Sequence, residues 1–467
     1  MTTSTIPRRL TARFRRRTSG CLAGLLFAGA VAAANSPRAE GYRGIWFTLG
    51  QFSEHGDKYS GGLGTYTANH VPMAVYSAAA DKTFFTYGGT VAGQRHLLLM
   101  AAYYDHRTGQ VPQPVIVHDK GGVNDPHDNA SLNLDDQGYV WIFISGRGRA
   151  RPGFKYRSRE PYSVAAFERV AEEEMTYPQP WFLPGRGWLH LFTKYTQGRE
   201  LYLETSADGR TWSADRKLAG FGGHYQVSGQ RGGRIGTFFN YHPGGNVDKR
   251  CNLYYAQTED GGATWSTVDG RPLELPLSAV TNAALVLDSQ AQGFLTYTCD
   301  LNFDAAGRPV LLYVASRGHQ PGPQSGPREF RVTRWDGGAW QTRVVAATDH
   351  NYDMGSLYIA ADRWSVIAPT HPGPQPHGSG GELCLWTSTD QGDSWKLERQ
   401  ITRDSPRNHN YARRPVNARD PFFAFWADGD PGRLSESQLY FGSSTGERVW
   451  RLPSSLTGDF ARPEPVR

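Results

Sequence analysis

Imidazoles, phenols and cations recur in this 467-residue chain at the edges of short apolar runs. His127 and Arg147 bracket the stretch DPHDNASLNLDDQGYVWIFISGR, and Tyr177 and Lys194 bracket YPQPWFLPGRGWLHLFTK. His224 opens HYQVSGQRGGRIGTFFNYH, which Tyr241 and His242 close. His350, and Tyr411 with Arg413, start two later stretches, while Arg250 stands in GNVDKRCNLYY just before another apolar run. His and Tyr exchange protons once their surroundings shift their pKa values, and Lys and Arg hold anions. Gathered on one concave face, such groups suit acid/base chemistry on an anionic substrate. Taken singly, each is equally explained as a channel plug that bonds its neighbours.

Each stretch has the form of a β-hairpin: a short strand, a turn rich in Gly and Asp, and an apolar strand. Units of this kind start at His70, His127, Tyr177, His224, His350 and Tyr411, with a looser one between Tyr297 and Ser316. The intervals leave room for two further strands apiece, which completes a four-stranded blade. The pattern predicts an all-β chain folded as a seven-bladed β-propeller of four-stranded antiparallel blades. In that architecture the first strand of each blade lines the central channel and the hairpin returns to the rim it left. Entry and exit residues then share one rim.

Three segments, SADGRTW from Ser206, TEDGGATW from Thr258 and STDQGDSW from Ser388, are Asp-box turns with a structural task. The Gly- and aromatic-rich stretch from Gly41 to Gly64 either supplies an outer strand that closes the ring or lies over the rim. Cys251, Cys299 and Cys384 have no metal-ligand spacing and form at most one disulfide. No cofactor is required; Asp128, Asn129 and Asp353 offer oxygens to a structural calcium ion, and ordinary turn bonding explains them too. The metal ligands stay unassigned.

Residues 1–34 carry six arginines and then an apolar run ending in small residues, the form of a secretory signal peptide for the Sec or the twin-arginine route. Residues 35–467 are then a single propeller domain. Loss of those arginines brings the formal charge of +6 to zero, which removes the case for nucleic acid. No later segment is long and apolar enough for a membrane span. A secreted or periplasmic monomer is expected.

DPHDNASL, TYPQP, GFGGHYQ, DHNYDMGSLY and YARRPVN together make the chain resemble the BNR-repeat propeller family that includes ulvan lyases and lyases acting on rhamnosyl-glucuronate. The resemblance implies a secreted polysaccharide lyase that cuts by β-elimination next to a uronic acid, with an acidic, uronate-containing glycan as its partner. It also implies that His127 and Tyr177 are the proton-transferring pair. In those lyases a second His and an Arg close the two hairpins, whereas Arg147 and Lys194 stand here. Elimination needs cations around the uronate carboxylate, for which Lys194 and Arg250 come first and Arg147 next. His127 is assigned as base and Tyr177 as acid, and Tyr177 is expected to ionise more readily than a free phenol beside Lys194 and Arg250. His224, Tyr241, His242, His350, Tyr411 and Arg413 would hold the sugar. A glycoside hydrolase of α-L-rhamnosidase type on a similar linkage, or a carbohydrate-binding propeller without activity, are the alternatives.

Overall fold

β-Branched and aromatic runs broken by Gly and Asp turns set the strands. Thus Ala130–Leu134, Val140–Ile144, Gly153–Ser158 and Phe167–Glu173 pair in chain order as one antiparallel sheet. Four more four-stranded sheets repeat this plan, starting with Thr176–Leu183, Gln226–Arg231, Leu295–Phe303 and Ser356–Ile359. A sixth, starting with Asn408–Arg413, has five strands. The computed structural model describes residues 35–62, 64–94, 96–122 and 125–466; the expected export segment, 1–34, lies outside them.

The hairpin that starts at His70 belongs to a different kind of sheet. Ala74–Ser77, Lys82–Gly89, Leu98–Asp105 and Val115–Asp119 are joined there by Gly44–Thr48, Ser60–Gly62 and Ser435–Ser437, giving seven strands. The expectation of seven like four-stranded blades is therefore corrected. Five sheets are four-stranded blades built from successive strands, a sixth blade of five strands gives up Ser435–Ser437, and the remaining sector is this composite sheet. The cause is closure. An unpaired strand edge is an aggregation hazard, and the chain covers it by pairing Gly44–Thr48 with Ser435–Ser437 on one side and Gly89 on the other. A count of repeating hairpins cannot register strands that cross between the two ends of the chain.

Apolar side chains fill the space between sheets, with Leu132, Ile142, Val227, Leu253, Leu301 and Leu311 all fully buried in one continuous cluster. The Asp boxes staple the outer turns. In each, the carboxylate of Asp208, Asp260 or Asp390 accepts turn amides, from Thr211, Thr264 and Ser394 respectively. Gly209 (φ 73°), Gly261 (φ 74°) and Gly392 (φ 89°) provide the left-handed backbone that these turns need. Cys251, Cys299 and Cys384 are free thiols, all buried.

At two strand entries the ladder slips, between Thr176 and Gln179 and between Asn410 and Arg413. Tyr177 (φ 55°) and Tyr411 (φ 53°) sit in those bulges in the left-handed region, which a bulky side chain occupies only at a cost. Both phenol rings line the same cavity.

Closure rests on Trp46, whose side chain is fully buried in Gly44–Thr48. A Cβ added at Gly429 would overlap its ring, so the two fit only because residue 429 is glycine. Trp46→Ala should cost about 3–5 kcal/mol, read as a lower urea midpoint at unchanged slope. A midpoint within error of the parent would mean that the ring is not held by this strand.

Candidate active site

The rim encloses a cavity of about 260 Å³, lined by residues from most of the ring. Among them are His127, Arg147, Tyr177, Arg199, Tyr225 and Arg250, with Tyr59, Tyr66, Tyr352 and Tyr411 completing an aromatic wall. The described lining contains no Asp or Glu.

His127 is held from behind. Asp125 caps the turn Pro126–Asp128, accepting from the His127 amide at 3.0 Å and pairing with His127 Nδ1. Its second oxygen accepts from Arg147 Nη1 at 2.8 Å and also from Arg151. Burial would raise the Asp125 pKa, but the bonds from His127 and Arg147 outweigh it and hold the carboxyl well below the usual range. An ionised Asp125 fixes the proton on Nδ1 and leaves Nε2 as the basic atom. Burial lowers the His127 pKa, Asp125 pulls it back up, and Arg147 and Arg199 lower it again, so the imidazole is neutral at neutral pH. His70 supports it, with Nε2 3.2 Å from the His127 carbonyl.

Tyr177 packs beside both imidazoles, its ring centroid 5.4 Å from that of His127 and 5.3 Å from that of His70. Burial, reinforced by the neighbouring phenols of Tyr225, Tyr195 and Tyr66, pushes its pKa well above the ordinary value of a phenol; Arg199 opposes this only in part. The expectation of an easily ionised phenol is corrected: Tyr177 keeps its proton, which makes it a donor. Two guanidiniums flank Tyr225, Arg250 at 4.9 Å and Arg199 at 5.7 Å from the ring centroid. Arg250 donates to the Tyr352 hydroxyl at 2.7 Å and to the Val247 carbonyl at 2.8 Å. Arg199 donates to the Gly245 carbonyl at 3.2 Å, and its Nε is buried with no partner.

Of the residues named from sequence, His127, Arg147, Tyr177, Arg250 and Tyr411 come together in the cavity. The others do not line it. Lys194 turns outward, its ammonium 2.6 Å from Asp215. His224 is a buried strut, bonded to the Asn240 carbonyl at 2.9 Å and to the Phe221 amide at 3.3 Å. Tyr241 packs on Phe221, while His242 backs Tyr225 at 4.8 Å and bonds Asn240 Oδ1 at 3.0 Å. His350 bonds the Asp57 carbonyl and the Tyr352 amide, and Arg413 ties down the carbonyls of Thr67, Ala68 and His70.

Arg199, Tyr225 and Tyr352 were not singled out by sequence reasoning. The signal was present: Tyr225 follows His224 and Tyr352 lies two residues after His350, each just before the first strand of a blade. Arg199 opens the strand after the hairpin, five residues beyond Lys194.

The residues considered for calcium are engaged elsewhere. Asp128 pairs with Arg151 at 3.0 Å and Lys120 at 3.7 Å, while Asp353 accepts from the Thr348 hydroxyl and the amides of His350 and Gly380. One group among the described residues does stand close enough to hold a metal ion. The ligand atoms of Glu173, His190 and Glu204 lie within 4.8 Å of one another, between two blades and outside the cavity. The Lys155 ammonium already lies there, 2.8 Å from Glu173 and 2.6 Å from Glu204.

The sequence model described as "BNR repeat-containing family member" matches residues 84–348. The chain belongs to this family. An ulvan lyase of Pseudoalteromonas sp. (strain PLSV) is 23% identical over 285 residues, covering 51% of this chain and 58% of the relative. An ulvan lyase of Alteromonas sp. (strain LOR) is 23% identical over 317 residues, covering 58% and 64%. The chain thus spans about 58% and 64% of the length of these curated relatives. Among solved structures, an ulvan lyase superposes with a TM-score of 0.65 at 17% identity, over 87% of this chain and 96% of the other. Another solved form of an ulvan lyase, bound to -[GlcA(1-4)Rha3S]-, gives 0.64 at 16% identity, over 88% and 94%. At these identities the superpositions establish the shared fold.

The His127 pairing has a direct spectroscopic consequence. Asp125→Asn removes the charge that favours the imidazolium, so the His127 pKa should move lower still, read from imidazole NMR shifts against pH. A rise toward the ordinary 6.5 of free His would show that Asp125 does not govern this ring.

Proposed function

We propose that this BNR-repeat protein is a secreted polysaccharide lyase that cleaves by β-elimination next to a uronic acid, in a rhamnosyl-glucuronate or ulvan-type linkage. The observation that carries the reading is a neutral imidazole and a protonated phenol side by side, faced by three guanidiniums, in a cavity whose described lining lacks carboxylates. Hydrolases of glycosidic bonds mostly need a pair of carboxylates. The relatives named as ulvan lyases support the same substrate class. The leader-like pattern of residues 1–34 supports export.

In the proposed reaction His127 Nε2 removes the C5 proton of the uronate, and the electron pair moves toward the carboxylate. That group is already negative, so the developing second charge must be met by cations in a water-poor site. Arg199, with an unpartnered Nε, is the first of these, with Arg250 across Tyr225 and Arg147 beside His127. The C4–O4 bond then breaks as the C4–C5 double bond forms, and the Tyr177 phenol protonates the departing oxygen. Asp125 steadies the imidazolium that results. No step draws on a metal ion, and the glycan is the only partner required.

The rate should fall at low pH as His127 becomes protonated, with a midpoint below 6.5, the value of free His. It should fall again only in strong alkali, where Tyr177 loses its proton. Tyr177→Phe removes only the hydroxyl and should lower kcat by ~10²-fold or more while the fold survives. Activity within a few-fold of the parent would make Tyr177 a packing residue. Incubation with ulvan and with a rhamnose-capped glucuronate glycan in heavy-oxygen water should give an ultraviolet-absorbing, unlabelled product. Label uptake with no ultraviolet absorbance in any fragment would make the protein a hydrolase, and binding without any product would make it a lectin.

A further inference from the structure

The N-terminal segment does more than close the ring. Between Gly44–Thr48 and Ser60–Gly62 the chain makes a small hairpin, Phe52–Ser53 paired with Gly56–Asp57. Its base is organised by the Asp57 carboxylate, which accepts from the amides of Gln51 at 3.0 Å, Gly50 at 3.1 Å and Tyr59 at 3.2 Å, and from the Thr48 hydroxyl.

This strap is pinned to separate parts of the ring. Lys58 Nζ lies 2.9 Å from both oxygens of Asp248, in the loop after the 226–241 hairpin, and the Tyr59 hydroxyl donates to the same carboxylate at 3.3 Å. His350 Nε2 lies 3.3 Å from the Asp57 carbonyl, which ties the strap to the entry of the 356–400 blade. The His55 ring meets that of His377 edge-on at 5.3 Å. The Lys58–Asp248 pair is largely withdrawn from water, with side-chain exposures of 11% and 25%, so salt screens it less than a surface pair. Leu49, Gln51 and Tyr59 of the strap form part of the cavity wall.

A polymer that passes through a site needs an entrance and an exit. Here the strap bridges the 243–249 loop and residues 350–377 and walls one side of the cavity. The cavity behind it holds about 260 Å³, below the roughly 300–1,000 Å³ of sites for drug-sized ligands. We propose that the Leu49–Tyr59 strap turns the channel mouth into a blind pocket that receives a chain end, so that the enzyme releases a terminal unit. The inference rests on the uronate-lyase reading and adds the mode of attack, with the strap as its determinant. Leu49 and Phe52, 38% and 57% exposed on the strap, give an incoming sugar apolar surface to pass over.

Time courses on ulvan and on a rhamnose-capped glucuronate polymer test this. The parent should give one small product from the first time point while the size of the remaining polymer barely changes. Replacing residues 52–57 by Gly-Gly should shift the products to a ladder of sizes with an early loss of viscosity. Lys58→Ala, which leaves the hairpin in place but unlatches it, should shift the pattern in the same direction, with its melting temperature monitored alongside. A ladder from the parent at the first time point, or an unchanged single product from both variants, would overturn the blind pocket. The two readings fail separately: terminal release with no ultraviolet absorbance in either the released unit or the remaining polymer would sink elimination and leave the pocket standing. An absorbing ladder from the parent would do the reverse.

Discussion

The structure depends on one short strand. Gly44–Thr48 joins the start of the chain to Ser435–Ser437 near its end, and without it the first and last sheets would face each other with open edges. The same strand launches the Leu49–Tyr59 strap, and the 59–69 segment that follows brings Tyr59, Tyr66, Thr67, Ala68 and Asn69 to the cavity. Closure and site assembly are therefore one constraint. The Arg413 guanidinium reinforces this by bonding three carbonyls of the 67–70 turn, and the His70 ring of that turn supports His127. A side chain expected to touch sugar instead fixes the segment that places the imidazole.

Within the cavity, burial shifts the pKa of the His127 imidazole down and that of the Tyr177 phenol up. It removes charge from both, leaving the imidazole free to accept and the phenol free to donate. Two groups with that division of labour would be mismatched in water, where both would be solvated and the phenol's proton would be far from any developing oxyanion. The guanidiniums stay charged in the same surroundings because they hold their proton far above neutral pH, and phenol rings and carbonyls, rather than carboxylates, contact Arg199 and Arg250. A carboxylate partner would cancel their field. Their field is left for an anion from outside.

Much of the propeller was legible because its hairpins repeat with turn chemistry that sequence displays openly, and the Asp boxes at Asp208, Asp260 and Asp390 behave as their residues require. Closure was legible only as one of two alternatives for Gly41–Gly64, an outer strand or a loop over the rim, and the composite seven-strand sheet was not, since strand exchange between distant ends leaves no local pattern. Of the residues named by type and by position at hairpin entries and exits or just before a strand, His127, Tyr177, Arg147, Arg250 and Tyr411 line the cavity. His224 and His350 were reasonable by type and wrong in direction: each bonds backbone, while Tyr225 and Tyr352 nearby line the cavity. Lys194 failed for a related reason. It closes the Tyr177 hairpin, but its ammonium leans outward to Asp215, whereas Arg199 in the following strand lines the cavity.

The left-handed backbone at Tyr177 and Tyr411 points to what the scaffold favours. Each such conformation costs of order 1–3 kcal/mol for a non-glycine residue and persists only where its surroundings over-determine it. Asn252 repeats it at φ 56°, at the start of a strand in another blade, so the kink is a device of the fold. At Tyr177 and Tyr411 the ring is placed in the cavity, and the Tyr411 hydroxyl is buried without a partner. A sequence tuned for stability would put an apolar residue or glycine at these positions. Retaining a phenol on strained backbone, beside an imidazole held by a carboxylate, trades stability for a pre-set donor and a pre-set base, which is the pattern expected of a reaction site rather than a plugged channel.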